Sequence, residues 1–336
     1  MRPTLLAALA LTACASAPLA ESIDHPGFYD FGRLRFEEPA RFAALQREIA
    51  AEFARDEAQD ALLRTIPAAE RPSQCEPELS HKISLRAWVN LAAAVPDRAA
   101  WDRDAGVLRE RVRGIVRASV AWRHGVDAVD PRARSAYLDD FVRGLEDAQD
   151  TRTQELYLRV LRDQTLRYGY GFDPTIAGWI EDLSPEAGEA WRNLLGGLIV
   201  ETDCINAHWL REQLAEIEWF DSRTYGASVD RAAWLLAQHA DLNAALQVDV
   251  RNRLERLAPV GGTNAVNFAY LWDRVAVSEE RPQRFGTQLQ CVDGRYEPIG
   301  GIEDPDRVEL RREQFRMQTY ADYLTMMAER NPCPPV

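Results

Sequence analysis

Apolar residues recur along most of the chain at intervals of three and four, the spacing of helices that bury one face. Phe42, Leu45 and Ile49 follow this interval. Helices are predicted from Pro39 onward and over residues 84–95, 97–124, 131–148, 151–168, 185–200, 206–217, 228–239, 242–257, 264–279, 307–315 and 319–330. The pattern therefore predicts a mainly α fold, a multi-helix globular bundle.

One segment, near residues 284–299, breaks the helical pattern. Short alternating stretches flank Asp293-Gly294, a pair typical of two-residue hairpin turns. The alternation would place Phe285, Thr287 and Leu289 on one face. We expect a small β-hairpin here.

The first 20 residues have the pattern of a signal peptide, with an apolar run over residues 5–11 followed by small residues. That run is far shorter than the roughly 20 residues of a permanent membrane helix. Residues 11–14 resemble a lipobox, in which Cys14 would carry the lipid, and the resemblance to lipoprotein sorting patterns, with Ala15 next, implies the outer membrane. Cleavage after Ala17 or Ala20 would instead release a soluble periplasmic protein.

The rest of the chain divides into four predicted parts. These are an irregular tether over residues 21–38, an N-terminal helical region over 39–150, a C-terminal helical domain with the hairpin over 151–330, and a tail over 331–336. Whether residues 21–150 fold separately stays open.

The net charge is −13. This excess of acid repels nucleic acid and anionic membrane surfaces, so membrane attachment, outer or inner, would come only from the N-terminal lipid. A small polar ligand or an envelope protein stays open as a partner, as does the oligomeric state.

Common catalytic signatures are missing from the sequence, including the Gly-x-Ser-x-Gly elbow, the phosphate-binding loop with lysine and His-Glu-x-x-His. The five histidines have no metal-ligand spacing. We therefore expect no metal and no cofactor. The sequence leaves open whether the protein is an enzyme and favours a noncatalytic role.

Four cysteines remain after Cys14 is set aside: Cys75, Cys204, Cys291 and Cys333. An even number in an oxidising compartment indicates two disulfides, and three pairings are open. Buried free thiols are the alternative.

His239 shares a helix face with Leu235 and Leu236, so its ring points inward. It is either hydrogen-bonded in the core or held at the floor of a cleft. The next helix carries Asp273 and Arg274 among apolar residues, and charges in such a setting need partners. Asp273 would orient His239.

Arg274 would hold a carboxylate from Asp163 or Asp241. Asp163 and Arg167, four residues apart, would share a helix face and pair. A salt-bridge network with no ligand explains these residues equally well.

The segment before the hairpin supplies further candidate ligand-binding residues. Gln283, Thr287 and Gln288 offer paired donors and acceptors, and Gly286 lets the backbone approach a ligand closely. The alternative is an ordinary hairpin with one solvated face.

An ordered series of blocks resembles the bacterial family of unknown function 6624, over roughly residues 150–327. The blocks are Asp163-Gln164 with Arg167, Tyr225-Gly226, residues 233–241, Asp273-Arg274-Val275, residues 283–288, residues 302–305 and Arg311-Arg312. Phe285 stands where the family is expected to have Tyr, and residues 314–317 replace a Gly-Leu step. The resemblance implies relatedness and no particular activity.

Two functions follow from these observations. The first is an exported cell-envelope protein, a noncatalytic module whose buried polar pocket binds a small polar or peptidoglycan-derived ligand or a protein partner. The second is a hydrolase with His239 as general base, Asp273 or Asp241 orienting it, and Arg274 stabilising negative charge. His239 must then reach a cleft and lie within hydrogen-bond range of a carboxylate.

Overall fold

The computed structural model describes residues 30–76, 78–172, 178–330 and 332–333. The predicted signal peptide, Cys14 and most of the tail lie outside these residues. The expectation of a mainly α fold with one small hairpin is confirmed. The described helices are α1 (Phe31–Glu37), α2 (Pro39–Arg64), α3 (Leu79–Ala94), α4 (Arg98–Ala121), α5 (Asp139–Asp147), α6 (Thr151–Arg167), α7 (Pro185–Glu216), α8 (Ser222–Tyr225), α9 (Ala227–Gln238), α10 (Ala244–Leu257), α11 (Ala265–Ser278), α12 (Val308–Gln314) and α13 (Tyr320–Arg330).

Capping side chains fix where several of these helices begin. The carboxylate of Asp97 accepts from the Ala100 N–H at 2.8 Å, and that of Asp150 accepts from the Thr153 N–H at 2.9 Å. Each bond satisfies a donor that the first helical turn leaves without an intrahelical partner. The predicted starts at residues 97 and 151 agree with these caps to within one residue.

Three predicted boundaries were wrong. Residues 185–200 and 206–217 belong to one helix, α7, because Thr202, Asp203 and Cys204 continue its turns. Residues 131–138 form short 3₁₀ turns before α5. Within the predicted tether, residues 31–37 form α1, since Phe31 and Leu34 are buried in the core.

The hairpin consists of β1 (Leu289–Val292) and β2 (Arg295–Pro298), which pair antiparallel with Cys291 opposite Tyr296. The turn at Asp293-Gly294 has positive φ at both residues, as a type I′ turn requires. Residues 284–288 precede the strand and do not alternate as predicted. They form a loop that other side chains hold, described below.

One large cluster of buried apolar side chains runs through both halves of the chain, from Phe31 to Phe285. α3 packs along α7, and α4 packs on both α6 and α7. Trp88 of α3 and Trp101 of α4 meet edge to face, with ring centroids 6.2 Å apart. Among the described helices, none combines the length and apolar character needed to span a membrane.

Two disulfides are present, as the even cysteine count predicted. Cys75–Cys204 ties the segment before α3 to the middle of α7, and Cys291–Cys333 ties β1 to the tail. The first bridge lies next to Asp203. Beside it, the Gln74 N–H donates to the Leu242 carbonyl at 2.8 Å, so this segment reaches the turn between α9 and α10.

Candidate functional site

Asp163 of α6 is fully buried and accepts hydrogen bonds through both oxygens. Its Oδ1 accepts from Arg167 Nε at 2.8 Å, and its Oδ2 accepts from Gln164 Nε2 at 2.7 Å and lies 2.9 Å from His239 Nδ1. Burial alone would raise the pKa of Asp163, but the His239 and Arg167 charges and these hydrogen bonds hold it well below its usual value. Asp163 is therefore an ionised carboxylate at neutral pH.

Asp203 of α7 joins Asp163 through a shared guanidinium. Arg167 Nη2 donates to both oxygens of Asp203, at 2.6 and 2.7 Å. Burial and the nearby charge of Asp163 raise the pKa of Asp203 well above its ordinary value, against the effect of Arg167. Asp203 therefore binds a proton more tightly than Asp163 does. The reason is that three residues donate hydrogen bonds to Asp163, whereas Asp203 accepts from Arg167.

His239 follows the last residue of α9, and its backbone N–H donates to the Leu235 carbonyl. An ionised carboxylate only accepts, so Nδ1 carries the proton and donates it to Asp163. Nε2 then keeps its lone pair, and no described residue donates a hydrogen bond to it. Burial lowers the pKa of His239, although Asp163 opposes this. Since 17% of the side chain is exposed, a neutral ring presents an acceptor at the surface.

Asp241 and Arg274 form the rim beside His239. Arg274 Nη1 lies 2.8 Å from both oxygens of Asp241, and Gln247 Nε2 donates to Asp241 at 3.1 Å. Burial raises the pKa of Asp241, but Arg274 and Gln247 bring it below its usual value. The predicted pairing of Arg274 with Asp241 is present. We call Asp163, Arg167, Asp203, His239, Asp241 and Arg274 the polar cluster.

Three members of the polar cluster also have the donor types of a metal site. Ligand atoms of Asp163, Asp203 and His239 all lie within 4.8 Å of one another. Arg167 donates to both carboxylates, so its positive charge would oppose a cation bound between them. A charged hydrogen-bond network therefore describes this arrangement better than a metal centre does.

Asp273 does not orient His239, and that expectation was wrong. Its Oδ1 accepts from the N–H groups of Arg284 and Phe285 at 2.8 and 3.1 Å. Its Oδ2 accepts from the N–H and the hydroxyl of Thr287, both at 2.9 Å. Burial raises the pKa of Asp273, and these bonds oppose the rise. Both carboxylate oxygens of Asp273 are therefore occupied in holding the loop.

The other residues of this loop that were predicted to bind a ligand also make their contacts within the protein. Gln283 Nε2 donates to the carbonyls of Gln288 and Ile299, and its Oε1 accepts from the Gln288 N–H. Gly286 has a φ of +67°, and a Cβ there would lie 2.6 Å from the Tyr320 ring. Glycine is therefore needed at this position because the Tyr320 ring lies against the backbone. We call residues 283–288 the anchored loop.

A family model matches residues 153–331, more than half of the 336-residue chain. It describes a family of unknown function, DUF6624. The chain belongs to DUF6624. No curated protein and no solved structure matches it. The resemblance expected over residues 150–327 is confirmed, and the DUF6624 region contains the whole polar cluster and the anchored loop.

Sequence reasoning missed one member of the cluster in the DUF6624 region, Asp203. The predicted break after residue 200 placed Asp203 in a connection, although it lies in the middle of α7. A charged residue beside Cys204, whose disulfide fixes that turn, was the available signal. Gln164 was noticed only as part of a family block, and its contact with Asp163 depends on tertiary packing.

Proposed function

We propose that the polar cluster binds a small polar ligand carrying hydroxyl or amine donors. The observation that carries this is the orientation of His239: Nδ1–H donates to Asp163 at 2.9 Å, which leaves Nε2 as the acceptor of a partly exposed ring. Beside it, 58% of the Asp241 side chain is exposed. A ligand donor can reach both groups without breaking the bonds inside the cluster.

The charge balance narrows the class of ligand. Three acidic groups, Asp163, Asp203 and Asp241, face two guanidinium groups that already pair with them. An anion would meet arginines whose donors are engaged, whereas an ammonium or hydroxyl group meets free acceptors. The sugars of peptidoglycan fragments offer hydroxyl and amide donors, and we propose these fragments, bound through their sugars, as the first class to test.

A thermal-shift and calorimetric titration of the mature protein with muropeptides tests the proposal. At a concentration 100 times Kd, binding adds about 2.7 kcal/mol to stability, an increase of several degrees in Tm. We expect His239→Ala to remove this increase. The matched control is His208→Ala, since His208 is an exposed histidine that pairs with Glu212 on the same helix. Equal binding by both variants would contradict the proposal.

We propose also that the protein is exported and lipid-anchored through Cys14. The two disulfides support an oxidising compartment. Labelling cells with a fatty acid and fractionating their membranes, for the wild type and for Cys14→Ser, tests this. The wild type should incorporate label and sediment with membranes, and the variant should do neither. A wild type without label would overturn lipidation.

The 2.9 Å contact between Asp163 and His239 favours a second candidate function, hydrolysis with His239 as general base. A carboxylate on Nδ1 fixes the tautomer in which Nε2 accepts a proton from water. Asp163 takes the orienting role expected of Asp273 or Asp241. The ring is partly exposed, so a water molecule at Nε2 is part of this second proposal.

Mass spectrometry of muropeptides incubated with the protein separates the two candidates. A hydrolase gives products, and His239→Gln and Asp163→Asn each lower the rate by about 10² or more. Binding without products, or products formed equally by His239→Gln, would exclude this mechanism and leave the binding proposal to its own test.

A further inference from the structure

A cavity of about 540 Å³ lies on a different part of the molecule, beside the anchored loop. Its walls come from the end of α10, the start of α11, the anchored loop and α12. None of the polar cluster residues lines it. Its volume is that of a site for a small organic molecule.

The floor of the cavity is aromatic. Phe268 and Phe315 stack with their ring centroids 5.7 Å apart, and Phe285 meets Phe315 edge to face at 5.0 Å. Phe268 and Phe285 are nearly fully buried, while Phe315 is partly exposed. Such rings offer an apolar surface to a flat or acyl group.

Three arginines, Arg284, Arg307 and Arg311, share the lining with two acids, Glu255 and Glu303. Arg284 Nε donates to Glu303 at 3.2 Å. Arg307 lies 4.0 Å from Asp304, and 67% of its side chain is exposed. The lining thus has an excess of positive charge with one weakly paired guanidinium.

Arg311 is the arginine of the lining that the protein itself holds in place. Its Nη2 donates to the carbonyls of Glu303 and Asp304. Its Nε is buried and has no hydrogen-bond partner among the described residues. Nε is out of reach of a ligand, so Arg311 would act through the charge of its guanidinium, which the two carbonyls hold at the cavity wall.

We propose that this cavity is a second binding site, for a small amphipathic anion with an aromatic or short acyl body and a carboxylate head. The body packs on the three phenylalanines, and the carboxylate pairs with Arg307 and Arg311. Asp273 acts as a positioning residue, because it holds the backbone of Arg284 and Phe285 in the wall. This site stands independently of the ligand proposed for the polar cluster.

Titration of the full mature protein with 3-phenylpropionate, followed by calorimetry and by NMR of the aromatic rings, tests the proposal. We expect saturable binding with shifts of the phenylalanine signals. The amine analogue 3-phenylpropylamine should bind at least about tenfold more weakly, since the head group then meets positive charge. Absence of binding by the carboxylate, or equal binding by the amine, would overturn the proposal.

Two variants locate the site. Ala265→Phe fills the cavity and should abolish binding, whereas Arg307→Gln should weaken it about tenfold without loss of fold, because the Arg307 side chain is mostly exposed and weakly paired. Arg192→Gln, an exposed arginine of α7, is the matched control and should bind as the wild type does. Wild-type affinity in a folded Ala265→Phe protein would place the ligand elsewhere and refute the assignment.

Discussion

Asp163 and Asp273 are both buried aspartates in the DUF6624 region, yet they have different roles. Asp163 accepts from three side chains, two of which are ionisable, and the group it orients reaches the surface. Asp273 accepts from three backbone N–H groups and one hydroxyl. Backbone amides do not ionise near neutral pH, so Asp273 is a structural group. Asp163, in contrast, has ionisable side chains as partners, so its network can take part in proton transfer or ligand binding.

The largest effect in this comparison is expected for Asp273→Ala. Its removal leaves the loop amides without acceptors in a buried setting, so we expect a loss of about 3–5 kcal/mol in the free energy of unfolding. Urea denaturation measures it. Asp306→Ala, at an exposed aspartate, is the control and should change stability by less than about 0.5 kcal/mol. A small effect of Asp273→Ala would mean that the loop is held by other contacts.

Removing the disulfide next to the polar cluster is expected to have the next largest effect. Cys75 and Cys204 are 129 residues apart, so the bridge closes a long loop in the unfolded chain. We expect Cys75→Ser/Cys204→Ser to lose about 3 kcal/mol in urea denaturation. The same change at Cys291 and Cys333, 42 residues apart, should cost less. The reverse order would show that the bridge beside the hairpin holds more of the fold.

A pH-dependent effect should distinguish the polar cluster from the anchored loop. Burial lowers the pKa of His239 in the folded protein below the ordinary value of about 6.5. As the pH falls below that value, the unfolded chain takes up a proton on this residue before the folded protein does. The contribution of His239 to stability is therefore present at neutral pH and decreases toward acid.

We expect the difference in unfolding free energy between the wild type and His239→Gln to shrink between pH 7.5 and pH 5.5. Asp203, whose pKa is raised, titrates with the opposite sign, so the difference between proteins is the quantity to compare. Urea denaturation at both pH values measures it, with His208→Gln as control. A difference that stays constant with pH would contradict the lowered pKa.

The smallest effect is expected at the rim, for Arg274→Ala. Its partner Asp241 is more than half exposed, and solvent screens such a pair, so the loss should be under about 1 kcal/mol. Urea denaturation checks this at low and at high salt, and the loss should fall as salt rises. A loss of unfolding free energy as large as that of Asp273→Ala would show that Arg274 belongs to the buried part of the network and not to its rim.

The helical class, the hairpin turn, the family and the residue types of the site could all be predicted from the sequence. These depend on periodicity, local turn chemistry and an ordered series of motifs, which need no knowledge of distant contacts. The i,i+4 pair of Asp163 and Arg167 belongs here, because both residues lie on one helix.

Tertiary packing alone decided which aspartate meets His239. Asp273 is nearer to it along the chain, but the N–H groups of the anchored loop occupy both of its oxygens. Asp203 is part of the site because α7 continues through the predicted break and lies against α6. Partner choice among buried charges depends on which helices pack together, and the local pattern of a sequence does not encode that geometry.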